Sequence, residues 1–365
     1  MLLFKEKKMG FRKKTVENVD VAGKVVLVRV DYNVPMKDGN IVEDMRIRAS
    51  LPTLEYLLEQ GAKKVVLISH MGRPEGQVKP EFSLSPIAKR LGDLMLGKVV
   101  RFCPETIGDE ARRAVEDLPE GGVLLLENLR FSAAEEDNSE EFAKAIVEAT
   151  GADLFVQDGF AVIHRAHAST DAVAKILPAV AGFLVENEVT KLEGAIKEPE
   201  HPLVVIIGGA KVEDKTPMIE QFLPIADEII VGGKIAADGY EATDPKIYVA
   251  EDFAEDETGA KLDVGPNTGM HIVNSVLHAK TVVWNGTLGK TEDERFAKVS
   301  TTVALAMAES KATTIIGGGD TAGFVEGLKR EDDSLEYSLI STGGGASLEL
   351  LSGKKLPGLE VLQDA

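Results

Sequence analysis

The sequence predicts an α/β protein of two doubly wound parallel-sheet domains joined by a helix. Three observations carry that prediction. Short β-branched runs alternate with helical patterns along the whole chain, which is the signature of parallel strands and crossover helices. The chain has 365 residues, enough for two domains at about 150 residues each. Three apolar strands run into glycine-rich turns that open helices: VVIIGGAKVEDK (204–215), TTIIGGGDTAG (313–323) and LISTGGGASLELL (339–351). Glycine permits positive φ and close backbone approach. The helix that follows offers unpaired N–H groups and the positive end of its dipole to an anion. Three such loops in the second half of one chain point to an enzyme that grips phosphates from several directions.

In the first half the strand runs are KVVLVRV (24–30), KKVVLIS (63–69), VVRF (99–102), VLLLENL (123–129) and ADLFVQD (152–158). Helical segments lie between them, such as SEEFAKAIVEA (139–149), where Phe142, Ala145, Ile146 and Ala149 share a face. The segment 179–202 reads as one long helix ending at Pro199, and it marks the domain boundary. The second half repeats the scheme with PLVVIIGG, DEIIVGG, KTVVWNG and ATTIIGG. The acidic stretch AEDFAEDETG (250–259) reads as a solvated loop.

Composition limits the function. The net charge of −19 repels nucleic acid and anionic membranes. No apolar run approaches the ~20 residues of a membrane span. The single cysteine, Cys103, allows no internal disulfide and fits a buried thiol in a reducing cytoplasm. The start MLLFKEKKMG has too short an apolar run for a signal peptide, and Met9 is a candidate alternative start.

A chain this acidic needs local positive charge to hold anions, and the first half supplies it, with Arg73, Arg130 and Arg165 each following an apolar strand. The residues are Arg46 and Arg48 in DMRIR, His70 and Arg73 in SHMGRP, Arg130 in LENLRF, and His164, Arg165 and His167 in HRAHAS. One arginine in such a place is ordinary surface charge; several on one rim match phosphate and carboxylate oxygens. Asp31 and Asn33, after the first strand, are placed to orient a hydroxyl. Neither HExxH nor cysteine ligands are present, so zinc is not expected. In the second half, GAKVEDKT (209–216) departs from a Walker loop because Asp214 takes the second glycine's place. GGGDTA (317–322) fits a loose dinucleotide fingerprint. Asp320, at its fourth position, reads better as a Mg²⁺ ligand beside nucleotide phosphates.

Over nearly its whole length the chain resembles the phosphoglycerate kinases. The shared motifs, in the family's order, include RVDYNVP (29–35), RIRASLPT (46–53), SHMGRP (69–74), LLENLRF (125–131), HRAHAST (164–170), AVAGFL (179–184), GGAKVEDK (208–215), LDVGP (262–266), WNG (284–286), IIGGGDTA (315–322) and STGGGASLELL (341–351). The resemblance implies two Rossmann-like domains. Residues 1–180 would hold 3-phosphoglycerate or 1,3-bisphosphoglycerate, 181–198 would be a hinge helix, and 199–349 would hold Mg-ADP or Mg-ATP. The tail 350–365 would return to the first domain. It further implies a soluble cytoplasmic monomer acting only on these small molecules, by reversible transfer of the acyl phosphate of 1,3-bisphosphoglycerate to ADP. Substrate contacts would fall to Asp31, Asn33, Arg46, His70, Arg73, Arg130 and Arg165. Arg46 and Lys211 would meet the transferred phosphoryl, with Gly344 and Gly345 opening a helix onto the transition state. Gly209, Lys215, Asn285, Glu292, Gly318, Gly319 and Thr321 would join Lys211 around the nucleotide, Glu292 at the ribose, with Asp320 on the metal.

The departures from the family gather at the base. Lys234 replaces a third glycine, and a helix-plus-loop segment is missing before YVAEDF. Lys261 stands for a glycine, Thr287 for a proline, and Lys290 and Thr291 for apolar residues. Base recognition should therefore be altered or loosened. Milder changes in the first half are Tyr32 for phenylalanine and Gln157 for asparagine. Two other classes stay open: a catalytically weak paralogue that binds 3-phosphoglycerate, and a nicotinamide dehydrogenase suggested only by GGGDTA.

Overall fold

The computed structural model describes residues 11–365, so the candidate start at Met9 lies outside the described residues. The chain divides into two compact units. One runs to Asn187 and takes in Lys355–Ala365; the other is Glu188–Lys354.

The first unit is built on β1 (Val25–Arg29), β2 (Lys64–Ile68), β3 (Val100–Cys103), β4 (Gly122–Leu126), β5 (Leu154–Gln157) and β6 (Ala179–Ala181). All pair in parallel in the order β3-β4-β2-β1-β5-β6. Its inner strands are buried on both faces, which is why they read as unbroken Val/Leu/Ile runs. Helices α1 (Met45–Glu59), α2 (Ser85–Leu94), α3 (Gly108–Glu116) and α4 (Glu140–Thr150) form the crossovers. On α4 the covered face is Phe142, Ala143, Ile146 and Ala149, with Ala145 only half-buried. Register sets Arg29 level with Ile68 and Gln157, so Asp31, His70 and the segment after β5 emerge on one rim. Cys103 is a buried free thiol.

Two expectations need correction. Residues 179–202 are not one helix: β6 extends the sheet beside β5 before α5 (Phe183–Lys197) begins. Three small residues carry no periodicity, and only the open edge of β5 makes them a strand. The acidic stretch near 250–259 is also not a plain loop. Phe253–Glu255 pairs antiparallel with Lys261–Val264, and Asp256 accepts the N–H groups of Thr258 and Ala260 in the turn.

The second unit uses β7 (Leu203–Ile207), β8 (Glu228–Val231) and β9 (Ile247–Val249), then that hairpin as β10 and β11. It continues through β12 (Thr281–Asn285), β13 (Thr313–Gly317) and β14 (Leu339–Ile340). The parallel order β9-β8-β7-β12-β13-β14 is that of a dinucleotide fold, with its switch point between β7 and β12. Ligands of such sheets sit outside the carboxyl ends at the switch. Helices α6 (Val212–Phe222), α7 (Gly233–Ala237), α8 (Pro266–His278), α9 (Lys298–Glu309), α10 (Gly319–Glu331) and α11 (Gly345–Leu351) complete the unit. The tail then joins the first unit, where Lys13 Nζ donates to the carbonyls of Glu360 and Leu362, each at 3.0 Å. Among the described residues no helix is long and apolar enough to cross a membrane.

Candidate active site

In the first unit Arg46, His70, Arg130 and Arg165 gather on the rim above β1 and β2, whereas Arg48 is exposed on α1 and pairs with Asp44 at 2.9 Å. Asp31 is buried; its Oδ2 takes Arg46 Nη1 at 2.8 Å and its Oδ1 takes the Asn33 N–H at 3.1 Å. The same Arg46 nitrogen donates to the Asn33 carbonyl at 3.0 Å. Arg46 is thereby fixed in direction while its side chain stays 24% exposed. His70 follows β2, and its Nδ1 lies 3.2 Å from Arg29 Nη2. A guanidinium only donates, so Nδ1 is the acceptor and Nε2 carries the proton. Burial, reinforced by Arg29, Arg130, Arg46 and Arg165, holds the His70 pKa well below the usual histidine value. His70 is a neutral donor among cations.

Asn33 and Arg130 together clamp one loop. The Gly72 N–H donates to Asn33 Oδ1 at 2.9 Å, and the Gly72 carbonyl accepts Arg130 Nη1 at 2.8 Å. Gly72 holds φ +60°, and a Cβ there would stand 2.3 Å from the Phe82 ring, so the loop favours glycine. Arg130 is buried, and its Nε lies 3.1 Å from Glu136 Oε1 without hydrogen-bond alignment. Arg165 is half-buried, with Nε donating to His164 Nε2 at 3.1 Å. His167 is pushed down to about 4 by burial and then by Arg130, Arg29 and Arg165. Arg73 is exposed one residue beyond the clamp and bonds to no other member of the set among the described residues.

Sequence reasoning missed what lies underneath. Arg29 is fully buried, donating from Nε to Ser169 Oγ at 2.7 Å and from Nη1 to the Val30 carbonyl. Ser169 in turn gives its hydroxyl and N–H to the two oxygens of buried Glu135, at 2.6 and 3.0 Å. The available signal was a charge inside an apolar strand run, VVLVRV.

In the second unit the loops after β7 and β12 pack backbone on backbone. A Cβ on Gly208 would sit 2.3 Å from the Thr287 carbonyl, and one on Gly286 2.2 Å from the Gly208 carbonyl. Side chains are excluded, and the N-termini of α6, α10 and α11 open around a cavity of about 460 Å³. Lys211 caps α6 and is exposed. Lys215, one turn on, is buried and donates Nζ to Asn285 Oδ1. Burial lowers its pKa, which Asp214 and Asp320 partly restore. Asn285 Nδ2 is buried without a partner. Thr321 Oγ1 accepts the Gly286 N–H at 2.9 Å, leaving its own hydroxyl hydrogen to donate. Gly318, Gly319, Gly344 and Gly345 line the same cavity; Gly318 holds φ +86° and Gly344 φ +48°.

Exposed Asp320 lines this cavity and an adjoining one of about 310 Å³ that also carries Glu292, Lys234, Lys261 and Lys290. No cluster of three or more histidine, cysteine or acidic side chains suited to a metal occurs among the described residues. One exposed carboxylate beside a phosphate cradle suits Mg²⁺, which binds through one or two carboxylates and keeps phosphate and water ligands.

The family model for phosphoglycerate kinase matches residues 16–247 and 237–354. Relatives named phosphoglycerate kinase from Clostridium botulinum (strain Eklund 17B / Type B) and Clostridium perfringens (strain ATCC 13124) are 44% and 43% identical. Each alignment covers 98% of this chain and all of the relative. The solved phosphoglycerate kinase of Coxiella burnetii superposes with TM-score 0.77 at 35% identity, covering 96% of this chain and 98% of that one. That of Pyrococcus horikoshii OT3 gives 0.84 at 30% identity, with the same coverage.

Fold and site define a two-domain phosphotransferase that works on small molecules and a nucleotide. The chain belongs to the phosphoglycerate kinase family. Its reaction is the reversible transfer of an acyl phosphate between 1,3-bisphosphoglycerate and a nucleoside diphosphate. Nothing in the comparisons favours the non-catalytic or the dehydrogenase alternative.

Proposed function

We propose that the two rims divide the reaction between them. The first unit, to Asn187 and with the tail Lys355–Ala365 rather than 350–365, binds 3-phosphoglycerate through Asp31, Asn33, Arg46, His70, Arg73, Arg130 and Arg165. Residues 199–349 bind the nucleotide through Gly209, Lys211, Lys215, Asn285, Gly318, Gly319 and Thr321, with Glu292 at the ribose and Asp320 on Mg²⁺. The segment 181–198 is the hinge. The observation that carries this reading is the cradle where Gly208 and Gly286 bring two loops to contact beneath three helix N-termini.

The chemistry follows from charge. The acceptor oxygens are already anionic, so no general base is needed; what slows the reaction is repulsion between anions. Arg46, held by Asp31, and Lys211, standing free at the start of α6, direct positive charge at the equatorial oxygens as it develops. The helix opened by Gly344 and Gly345 adds backbone N–H donors. His70, kept neutral, donates from Nε2 without altering the charge balance. When bound, Mg²⁺ neutralises phosphate charge. Transfer requires both ligands to meet with water excluded, so hinge closure is part of the proposal. We place the enzyme in the cytoplasm as a monomer.

The Lys211→Ala variant tests these roles. It should abolish turnover while 3-phosphoglycerate binding stays within about twofold. Retention of more than about a tenth of the rate, less than about 1.4 kcal/mol of barrier, would remove Lys211 from the transition state.

A further inference from the structure

The 310 Å³ cavity beside the phosphate cradle carries an unusual set of donors. Three lysines line it: Lys234 at the start of α7, Lys261 on β11, and Lys290 after β12. Lys261 Nζ rests 4.5 Å from the centroid of the Phe253 ring, so the aromatic wall itself positions an ammonium. Lys290 Nζ forms no hydrogen bond or ion pair among the described residues, while Lys234 is engaged by Asp238 at 2.6 and 2.8 Å.

Three carboxylates, Asp263, Glu292 and Asp320, share the lining. The inner carboxylate, Asp263, is buried, and its two oxygens already take the N–H groups of Val264 at 2.9 Å and Val299 at 3.2 Å. Asp320 and Glu292 are exposed and assigned to metal and ribose.

This wall adjoins the point where the family match breaks. Alignments with the relatives extend over 403 residues against 365 here, an excess of at least 38 positions that this chain lacks. The family model breaks into two matches that overlap on 237–247. That stretch follows five-residue α7 directly and leads to the Phe253–Lys261 hairpin.

We infer that this cavity selects purine nucleotides bearing a carbonyl oxygen at C6, guanine or hypoxanthine, over adenine, with Lys261 as the specificity-determining residue. Lysine donors match the O6 and N7 acceptors of guanine; adenine sets its own N6 amino donor against them. One lost donor–acceptor match of this kind is worth roughly tenfold in discrimination. The inference rests on the phosphotransfer reading above, because that reading puts the ribose at Glu292 on the wall of this cavity and so the base beside it.

The test is calorimetric binding of MgGDP, MgIDP and MgADP to the full chain, beside phosphoryl transfer with each nucleotide. GDP and IDP should bind about tenfold more tightly than ADP. IDP isolates the C6 carbonyl because it lacks the guanine amino group. Lys261→Met keeps the stem over Phe253 but loses the charge, and should bring all three within about threefold. Equal or tighter ADP binding in the parent, or a ratio that survives in Lys261→Met, overturns the inference. Absence of transfer with every nucleotide would instead sink the assigned reaction, and the binding ratio would still decide this question.

Discussion

Replacing Gly208 by alanine adds one methyl where two loops meet main chain to main chain. Gly208 does not hold a positive φ, so the change introduces no backbone strain and only the close approach is tested. The new Cβ would lie 2.3 Å from the Thr287 carbonyl oxygen and 2.5 Å from that of Gly286. Unbonded heavy atoms settle near 3.5 Å, so the loops must part by roughly 1 Å. Neither neighbour is a flexible side chain that can swing aside. A 1 Å error in placing a reacting group costs about 10²-fold in rate, or about 2.7 kcal/mol. Overpacking should cost about 1–3 kcal/mol of stability as well. The assay is steady-state transfer to 3-phosphoglycerate with calorimetric MgADP binding, each below the variant's own melting temperature. Gly327→Ala is the control: it lies inside α10 with nothing within 4 Å of the added Cβ. It should leave turnover alone and stabilise by about 0.5–1 kcal/mol. Turnover by Gly208→Ala within about threefold of the parent would refute the claim that this approach sets the phosphate cradle.

Two further outcomes concern buried charge. Glu188, on α5, is buried, and its Oε1 accepts the N–H and hydroxyl of Thr342 at 2.6 and 2.9 Å. Burial raises its pKa from 4.5 to about 7. The native state holds this proton more tightly than the unfolded chain, so the associated stability is complete below about pH 4.5 and is lost as pH rises through 7. The loss is on the order of 3 kcal/mol, and urea unfolding of Glu188→Gln at pH 5 and pH 8 should show a shallower dependence by that amount; parallel profiles would contradict it. Arg29→Met strands Glu135 in the core and should cost about 3–5 kcal/mol in urea unfolding, whereas the double variant with Glu135→Leu should recover most of the loss. A single-variant loss under 1 kcal/mol would show that the buried network carries little.

The sheets were legible because a parallel strand buried on both faces has no polar alternation. LVVII at 203–207 and GVLLL at 122–126 announce themselves. Ala179–Ala181 did not, because its pairing with β5 is a property of the sheet edge and not of three small residues. The Phe253–Val264 hairpin was hidden by acidic residues that face solvent and cap its turn. Placement on the rims followed the same logic: residues just past strand ends share a level once the register is set, which brings Asp31 and His70 together, and the first turn of α1 adds Arg46. Buried partners stayed invisible. Arg29 meets Ser169 across 140 positions, and Glu188 meets Thr342 across 154. Nothing local distinguishes such an acid or base from a solvated one.

The most direct measurement is phosphoryl transfer from MgATP, and separately from MgGTP, to 3-phosphoglycerate, trapping the acyl phosphate formed, with Lys211→Ala alongside. Acyl phosphate should form from the parent with at least one nucleotide and be lost in the variant. No acyl phosphate with either nucleotide, from a parent that still binds 3-phosphoglycerate, would contradict the assigned reaction.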